Sequence, residues 1–154
     1  MIEVSIQRSD LSSEAATRLI SALNAELSRR YPEEGANHFR LDAQEVEEGR
    51  GAFFIAYANG EPLGCGAIRR IGADCAEIKR MYVEPYARGQ GVGRKILLTL
   101  QEEARRLGVA RILLETGERQ PEAIALYNRA GFLRVRAFGE YVDSPLSVCM
   151  AKDL

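Results

Sequence analysis

A glycine-rich turn between a strand and a helix is the feature that most limits how this chain can fold. Residues 88–93 read RGQGVG; an apolar strand pattern ends just before them, at Val83, and an amphipathic helix pattern covers residues 94–107. A helix that opens after such a turn leaves several backbone N–H groups without partners, at the positive end of its dipole. Glycine lets a bulky anion come close to those groups, so the sequence predicts a phosphate-binding turn inside a β-α-β unit.

The spacing of the glycines argues against two nucleotide-binding motifs. A dinucleotide fingerprint needs G-x-G-x-x-G, and here Gly93 comes one residue too early after Gly89 and Gly91. A P-loop needs Lys followed by Ser or Thr directly after its last glycine, whereas Gly93 is followed by Arg94 and then a lysine with no hydroxyl neighbour. Binding of ATP or a dinucleotide is therefore a poor hypothesis for this turn.

A second motif downstream identifies the kind of phosphate ligand. An apolar strand pattern at residues 110–115 precedes a polar loop and a helix that begins at Pro121, and the block ends at Gly131 and Phe132. The pattern R-x-x-G-x-G followed by A-x-x-L-Y-x-x-x-G-F, in this order, resembles the GNAT superfamily of N-acetyltransferases. The resemblance covers residues 53–132, with a looser match up to the last residue.

The resemblance implies an α+β fold with a mixed, mostly antiparallel central sheet, helices on both faces, and a β-α-β core that binds acyl-CoA. Acetyl-CoA would be the co-substrate, and no metal would be needed. The backbone before the turn would pair with the pantetheine arm, and the turn would hold the diphosphate. Position 120 is often asparagine in the family and contacts the coenzyme. The implied coenzyme-binding residues are Met81, Tyr82, Val83, Arg88, Gly89, Gln90, Gly91, Val92, Gly93, Arg94 and Gln120.

Three residues are implied in the chemistry. Tyr127 is similar in position to the tyrosine with which the family protonates the departing CoA sulfur, a role suited to a phenol of pKa about 10. It could instead be a packed structural tyrosine. Glu77 resembles the base of histone-type members, and Glu115 resembles the base of ribosomal-protein N-terminal acetyltransferases. Glu77 is the preferred base, although either glutamate could instead be a structural partner of a neighbouring basic residue.

Periodicity and turn signals predict one domain, residues 1–154, with the element order βααβββαβαββ. An Asn-Gly pair at residues 59–60 predicts a tight hairpin turn. Besides the elements already given, the predicted strands cover residues 3–8, 51–57, 62–71, 76–83, 132–137 and 146–151, and the predicted helices cover residues 12–31, 42–48 and 121–131.

Composition limits the partners and the compartment. The formal charge is −1 with both signs well mixed, which does not indicate a nucleic-acid partner. Cys65, Cys75 and Cys149 lack C-x-x-C spacing, and no signal peptide or membrane-length apolar run is visible. A cytoplasmic protein without membrane contact is expected, with C-terminal edge strands that are compatible with a homodimer. The single histidine, His38, is interpreted as a surface residue of the loop at residues 32–39.

A long loop at residues 138–147 is predicted to close the acceptor pocket. Its Glu140 or Asp143 could attract a cationic amine, although an acidic loop can also be merely solvated. Arg69 and Arg70 could bind an acceptor carboxylate. Cys65 is expected to pack in the core.

The function hypothesis is transfer of an acetyl group from acetyl-CoA to a primary amine of a small molecule or amino-acid-like acceptor, by direct attack. A protein or peptide acceptor is the runner-up. A non-catalytic acyl-CoA-binding module is the rival from a different class, because it would need the phosphate turn but neither Tyr127 nor a base.

Overall fold

The computed structural model describes residues 2–33 and 39–154, so His38 lies outside the described residues. Within them the chain forms a seven-stranded sheet and three α-helices. The helices are α1 (Glu14–Arg30), α2 (Val92–Arg106) and α3 (Pro121–Arg129). The strands are β1 (Ser5–Arg8), β2 (Gly51–Ala58), β3 (Glu61–Arg70), β4 (Cys75–Val83), β5 (Arg111–Gly117), β6 (Leu133–Val135) and β7 (Ser147–Asp153).

The strands lie in the order β1-β2-β3-β4-β5-β7-β6. Every neighbouring pair is antiparallel except β4 and β5, which are parallel and are connected by α2. Parallel neighbours need a crossover connection, and α2 supplies it. The predicted mixed, mostly antiparallel sheet with a central β-α-β unit is therefore confirmed.

Side chains of β2 alternate between two hydrophobic cores because successive residues of a strand point to opposite faces. Phe53 and Ile55 pack with Leu19 of α1 on one face. Phe54 belongs to the other core, which contains Ile96 and the rest of the buried face of α2. Helices thus cover both faces of the sheet, as expected.

Local sequence signals explain most element ends. Ser13 caps α1, since its hydroxyl accepts a hydrogen bond of 3.1 Å from the backbone N–H of Ala16. Asn59 and Gly60 both have positive φ, 52° and 79°, as a type I′ hairpin turn requires. The predicted acidic helix at residues 42–48 is wrong in length and type: it is one 3₁₀ turn, Ala43–Val46.

The sheet opens between β4 and β5. Their parallel pairing joins Cys75–Ile78 with residues 111–114 and stops there, although both strands continue. The continuing residues pair only on their outer sides, with β3 and β7. A bulge opposite Gly66 accompanies the opening, and Arg80 within it has a φ of 59°. The result is a cleft between two strands of one sheet.

None of the helices in the described ranges is long and apolar enough to span a bilayer.

Candidate active site

The glycine turn presents a row of backbone donors at the start of α2. Gly89 and Gly91 have φ of 77° and 84°, the left-handed region that favours glycine. The first backbone hydrogen bond of α2 runs from Lys95 to the carbonyl of Gly91. The N–H groups of residues 89–94 have no hydrogen-bond partner in the described part of the chain. Such a row at a helix N-terminus fits a diphosphate, so the residues present fit the group that the sequence predicts.

Two arginines flank this turn, and their surroundings differ. The Nε of Arg88 donates to the Val83 carbonyl and its Nη2 to Oε1 of Glu26, both at 2.8 Å. The guanidinium also lies over the Tyr82 ring, 5.6 Å from its centroid. These contacts tie the turn to β4 and α1. Arg94 is exposed and has no ion pair within the described ranges, so it is the cation that can move towards a bound phosphate.

A cavity of about 110 Å³ lies at the opening between β4 and β5. Met81, Glu115, Gln120 and Tyr127, four of the residues predicted from sequence, all line it. The side chain of Tyr82 lies elsewhere, buried in the core under α1. The other walls come from α1 and from the loop at residues 138–147, through Leu23, Asn24, Leu27, Tyr141, Ser144, Leu146 and Ser147.

Tyr127 stands at this cavity with its ring in the core and its hydroxyl unengaged. The residue is 5% exposed, and its ring meets that of Phe132 edge-on at 5.9 Å. Burial raises the pKa of the phenol, so it is protonated at neutral pH. Among the described residues the hydroxyl has no hydrogen-bond partner. It is therefore available as a proton donor to a group bound in the cavity.

Glu115 is a carboxyl group whose protonation changes near neutral pH. Burial raises the pKa of Glu115 to about 7, against a hydrogen bond from Ser147 that lowers it. The Ser147 hydroxyl donates to Oε2 at 2.6 Å, and Oε1 is left for another partner. A carboxyl with this pKa in a cavity is suited to taking up and releasing protons.

Glu77 has very different contacts. It is 1% exposed, and Arg69 donates to its Oε1 from Nε at 3.0 Å and from Nη2 at 2.8 Å. The Tyr141 hydroxyl donates to its Oε2 at 2.5 Å. Both oxygens are therefore occupied, and Glu77 is not among the residues that line the cavity with Tyr127. Glu115 therefore has an open oxygen at this cavity, and Glu77, the base preferred from sequence, does not.

The two acidic residues of the 138–147 loop are not available to attract an amine into the cavity, because one is paired with cations and the other does not line the cavity. Glu140 lies 3.5 Å from Nζ of Lys79 and 3.6 Å from Nη2 of Arg69, so its charge is already paired. Asp143 is exposed and does not line the cavity. Arg70 donates to backbone carbonyls, including that of Ala73 at 3.0 Å. Neither Arg69 nor Arg70 lines the cavity that contains Glu115 and Tyr127.

Sequence reasoning did not find several cavity residues. Tyr31, at the end of α1, reaches the cavity because Gly117 has no side chain; a Cβ there would lie 1.9 Å from the Tyr31 hydroxyl oxygen. Arg80 enters through the bulge in β4. Gly66 was the available signal, since glycine inside a strand often marks a bulge or a close contact. A Cβ on Gly66 would lie 2.8 Å from Met81 Sδ.

An opened sheet beside a helix whose N-terminal donors are free, with a buried tyrosine at the opening, defines an acyl-CoA-dependent acyltransferase. The chain matches the model described as the Acetyltransferase (GNAT) family over residues 17–132, and it belongs to this family. It is thus an acetyl-CoA-dependent acetyltransferase.

Two similar proteins support this assignment, and a third shares the fold. The chain is 40% identical to the IAA acetyltransferase of Azospirillum brasilense, over 100% of both chains. A solved structure of a candidate acyl-CoA N-acyltransferase from Klebsiella pneumoniae has a TM-score of 0.82 and 34% identity, covering 98% of this chain and 97% of that one. A GNAT family acetyltransferase from Elizabethkingia anophelis, solved with acetyl-CoA bound, shares the fold with a TM-score of 0.69 at 18% identity over 98% of each chain.

Proposed function

We propose that the protein acetylates the primary amine of a small molecule by direct attack on acetyl-CoA, with no covalent enzyme intermediate. The observation that carries this proposal is that Glu115 and Tyr127 face one small cavity beside the opening between β4 and β5. Glu115 can receive a proton at neutral pH, and Tyr127 can give one. Acyl transfer to an amine requires both.

Binding and orientation of the coenzyme would come from backbone groups. The edge of β4 at Met81 and Val83 faces away from β3 without a partner strand, so it can pair with the amide groups of the pantetheine arm. The N–H groups of residues 89–94 and the mobile Arg94 would hold the diphosphate. Orientation of two bound reactants can contribute about 7–11 kcal/mol to lowering a barrier, so these backbone contacts matter for rate as well as affinity.

Glu115 would receive the proton of the acceptor ammonium. An alkyl ammonium has a pKa of about 10.4, and an ordinary glutamate has a pKa of about 4.3. With the pKa of Glu115 at about 7, the transfer becomes easier by about 4 kcal/mol. Burial of the carboxyl therefore makes it a better base for this substrate class.

Tyr127 would give its proton to the departing CoA sulfur. Burial raises the pKa of the phenol, which by itself weakens the donor. The same apolar surroundings raise the proton affinity of a thiolate formed there, because burial disfavours every anion. The free hydroxyl and its place at the cavity favour this role over a purely structural one.

The small volume of the cavity, about 110 Å³, favours a small acceptor over a protein. Leu27 of α1 lies on one side, and Tyr141 and Ser144 of the 138–147 loop lie on another. A protein acceptor would need an open groove at this place. The Azospirillum relative carries the name IAA acetyltransferase.

The test is a panel of primary amines and short peptides, with release of free thiol from acetyl-CoA as the measurement. We expect small amines to raise thiol release well above the hydrolysis rate. Tyr127→Phe should lower kcat by about 100-fold, the effect of losing a general acid, with little change in CoA affinity. Tyr57→Phe, a half-buried tyrosine of β2, is the matched control and should retain activity.

A panel in which only peptides react would move the proposal to a protein acceptor. Full activity of Tyr127→Phe would remove the assigned proton donor. Absence of any amine-dependent release, with CoA still bound, would support a non-catalytic CoA-binding module.

A further inference from the structure

Arg80 is the basic side chain of the cavity that forms no ion pair among the described residues. Its Nη2 donates to the Phe39 carbonyl at 2.7 Å, and no carboxylate within the described ranges forms an ion pair with it. A guanidinium has five N–H donors, so four are left without a protein partner in this part of the chain. Even partial burial of a charge without an ion pair is unfavourable, which makes this an unusual place for the half-buried Arg80.

The backbone of Arg80 is also strained. Its φ of 59° lies in the left-handed region, which a residue with a Cβ adopts only at a cost of about 1–2 kcal/mol. Arg80 lies in the bulge of the β3-β4 pairing, just past the end of the β4-β5 pairing, and its side chain lines the cavity. Strained backbone of this kind is concentrated at ligand-binding sites.

The neighbouring cations are already paired. Lys79 lies 3.5 Å from Glu140 and donates to the Tyr141 hydroxyl at 3.2 Å. Arg69 is bound to Glu77 and also to Glu45. Of these three basic side chains, Arg80 alone forms no ion pair among the described residues and keeps free donors at the cavity.

We propose that the acceptor carries a carboxylate as well as its amine, and that Arg80 binds this carboxylate. The amine of the acceptor would then lie beside Glu115, and its carboxylate would bind Arg80. The substrate class is therefore amino-acid-like. A carboxylate matches a guanidinium because two parallel hydrogen bonds can form at once. This inference rests on the proposed amine acetylation at the same cavity.

The experiment compares pairs of amines that differ only in the carboxylate, such as phenylalanine with phenethylamine and leucine with isopentylamine. For the wild-type enzyme, kcat/KM should favour the acid-bearing member by about 10- to 100-fold, as expected for a charge-assisted hydrogen-bonded pair. In Arg80→Gln this preference should fall towards one through the KM for the acceptor, while the KM for acetyl-CoA stays unchanged.

Two further variants separate charge from shape. Arg80→Lys keeps the charge but lacks the planar fork, and should keep only part of the preference. Arg18→Gln removes an exposed arginine of α1 and should keep all of it. A binding measurement without turnover completes the set: N-acetylphenylalanine should bind the CoA-loaded wild type by calorimetry, and should bind Arg80→Gln about 10-fold or more weakly.

Amine acetylation without any preference for carboxylates in the wild type would overturn the inference and leave the proposed function standing. Absence of acetylation with every amine would overturn both. A preference that survives in a folded Arg80→Gln, verified by its circular dichroism spectrum, would show that another group binds the carboxylate.

Discussion

Glu115 and Glu77 lie on the two adjacent parallel strands and yet differ in what they can do. Glu77 has three hydrogen bonds from Arg69 and Tyr141, which occupy both of its oxygens. Glu115 has one, from Ser147. A buried carboxyl with few donors resists ionisation, and its pKa rises into the range in which cells operate.

Glu115 should therefore set the pH dependence of acetyl transfer. Only the deprotonated carboxylate can accept a proton, and the pKa of Glu115 is about 7. We expect kcat to rise with pH up to about 7 and then level off. Glu115→Gln should lower kcat by about 100-fold and abolish the rise, since Gln cannot titrate.

The measurement is a kcat profile between pH 5 and pH 9 at saturating acceptor, with structural integrity checked at each pH. Glu118→Gln, which removes an exposed glutamate close by in sequence, is the control and should keep the wild-type profile. An unchanged profile in Glu115→Gln would assign the titration to another group.

Replacing Glu77 should lower the stability of the protein and leave its activity nearly unchanged. Glu77→Gln removes one charge of a buried pair and leaves Arg69 with less compensation, which should lower the free energy of unfolding by about 3 kcal/mol. At a temperature where the variant is folded, kcat should stay within a few-fold of the wild type. Urea unfolding and steady-state kinetics on the same samples measure both quantities; a large loss of kcat with unchanged stability would make Glu77 the base after all.

At the scale of elements, the turn before α2 can be tested with a control on the same helix. Gly91 at the start of α2 and Gly108 just after its end have φ of 84° and 77°. Gly91→Ala and Gly108→Ala should each lower stability by about 1–2 kcal/mol through backbone strain. Only Gly91→Ala should weaken CoA binding, because it changes the position of the donors at the diphosphate.

Calorimetry with CoA and urea unfolding give the two readouts for each variant. If both variants bind CoA as tightly as the wild type, the turn does not bind the diphosphate. Weaker binding in both would mean that affinity follows overall stability instead.

Individual helices, strands and turns were predictable from sequence, whereas the opening between β4 and β5 was not. The hairpin at residues 59–60, the helix after the glycine turn and the buried strand β5 follow from turn chemistry and periodicity, which act over a few residues. The opening between β4 and β5 depends on a bulge and on packing of Ile96 of α2 over Gly66, which involve distant residues. The partners of Glu77 are likewise 8 and 64 residues away, so sequence could name both glutamates as bases but could not reveal the contacts that distinguish them.

At the scale of the whole molecule, the sheet consists of two parts joined by a short ladder. Strands β1 to β4 form one part and β5 to β7 the other, and the strand pairing between them is limited to Cys75–Ile78 with residues 111–114. The fully paired hairpin of β2 and β3 has no such interruption along residues 51–56. The proposed coenzyme site lies where the two parts separate, so binding should stabilise the molecule unevenly.

Hydrogen exchange with and without CoA should reveal this uneven stabilisation. At a CoA concentration 100 times Kd, amides that exchange from the ligand-free conformation should slow by about 100-fold. We expect that effect at residues 79–83 and 89–94, within seconds to minutes of exchange. Amides of residues 53–55 in the hairpin are the internal control and should show no exchange on that timescale in either state. Slowing confined to residues 89–94 would show that the phosphate turn binds alone, whereas slowing in both segments would mean that the ligand spans the opening and supplies the pairing that β4 and β5 lack.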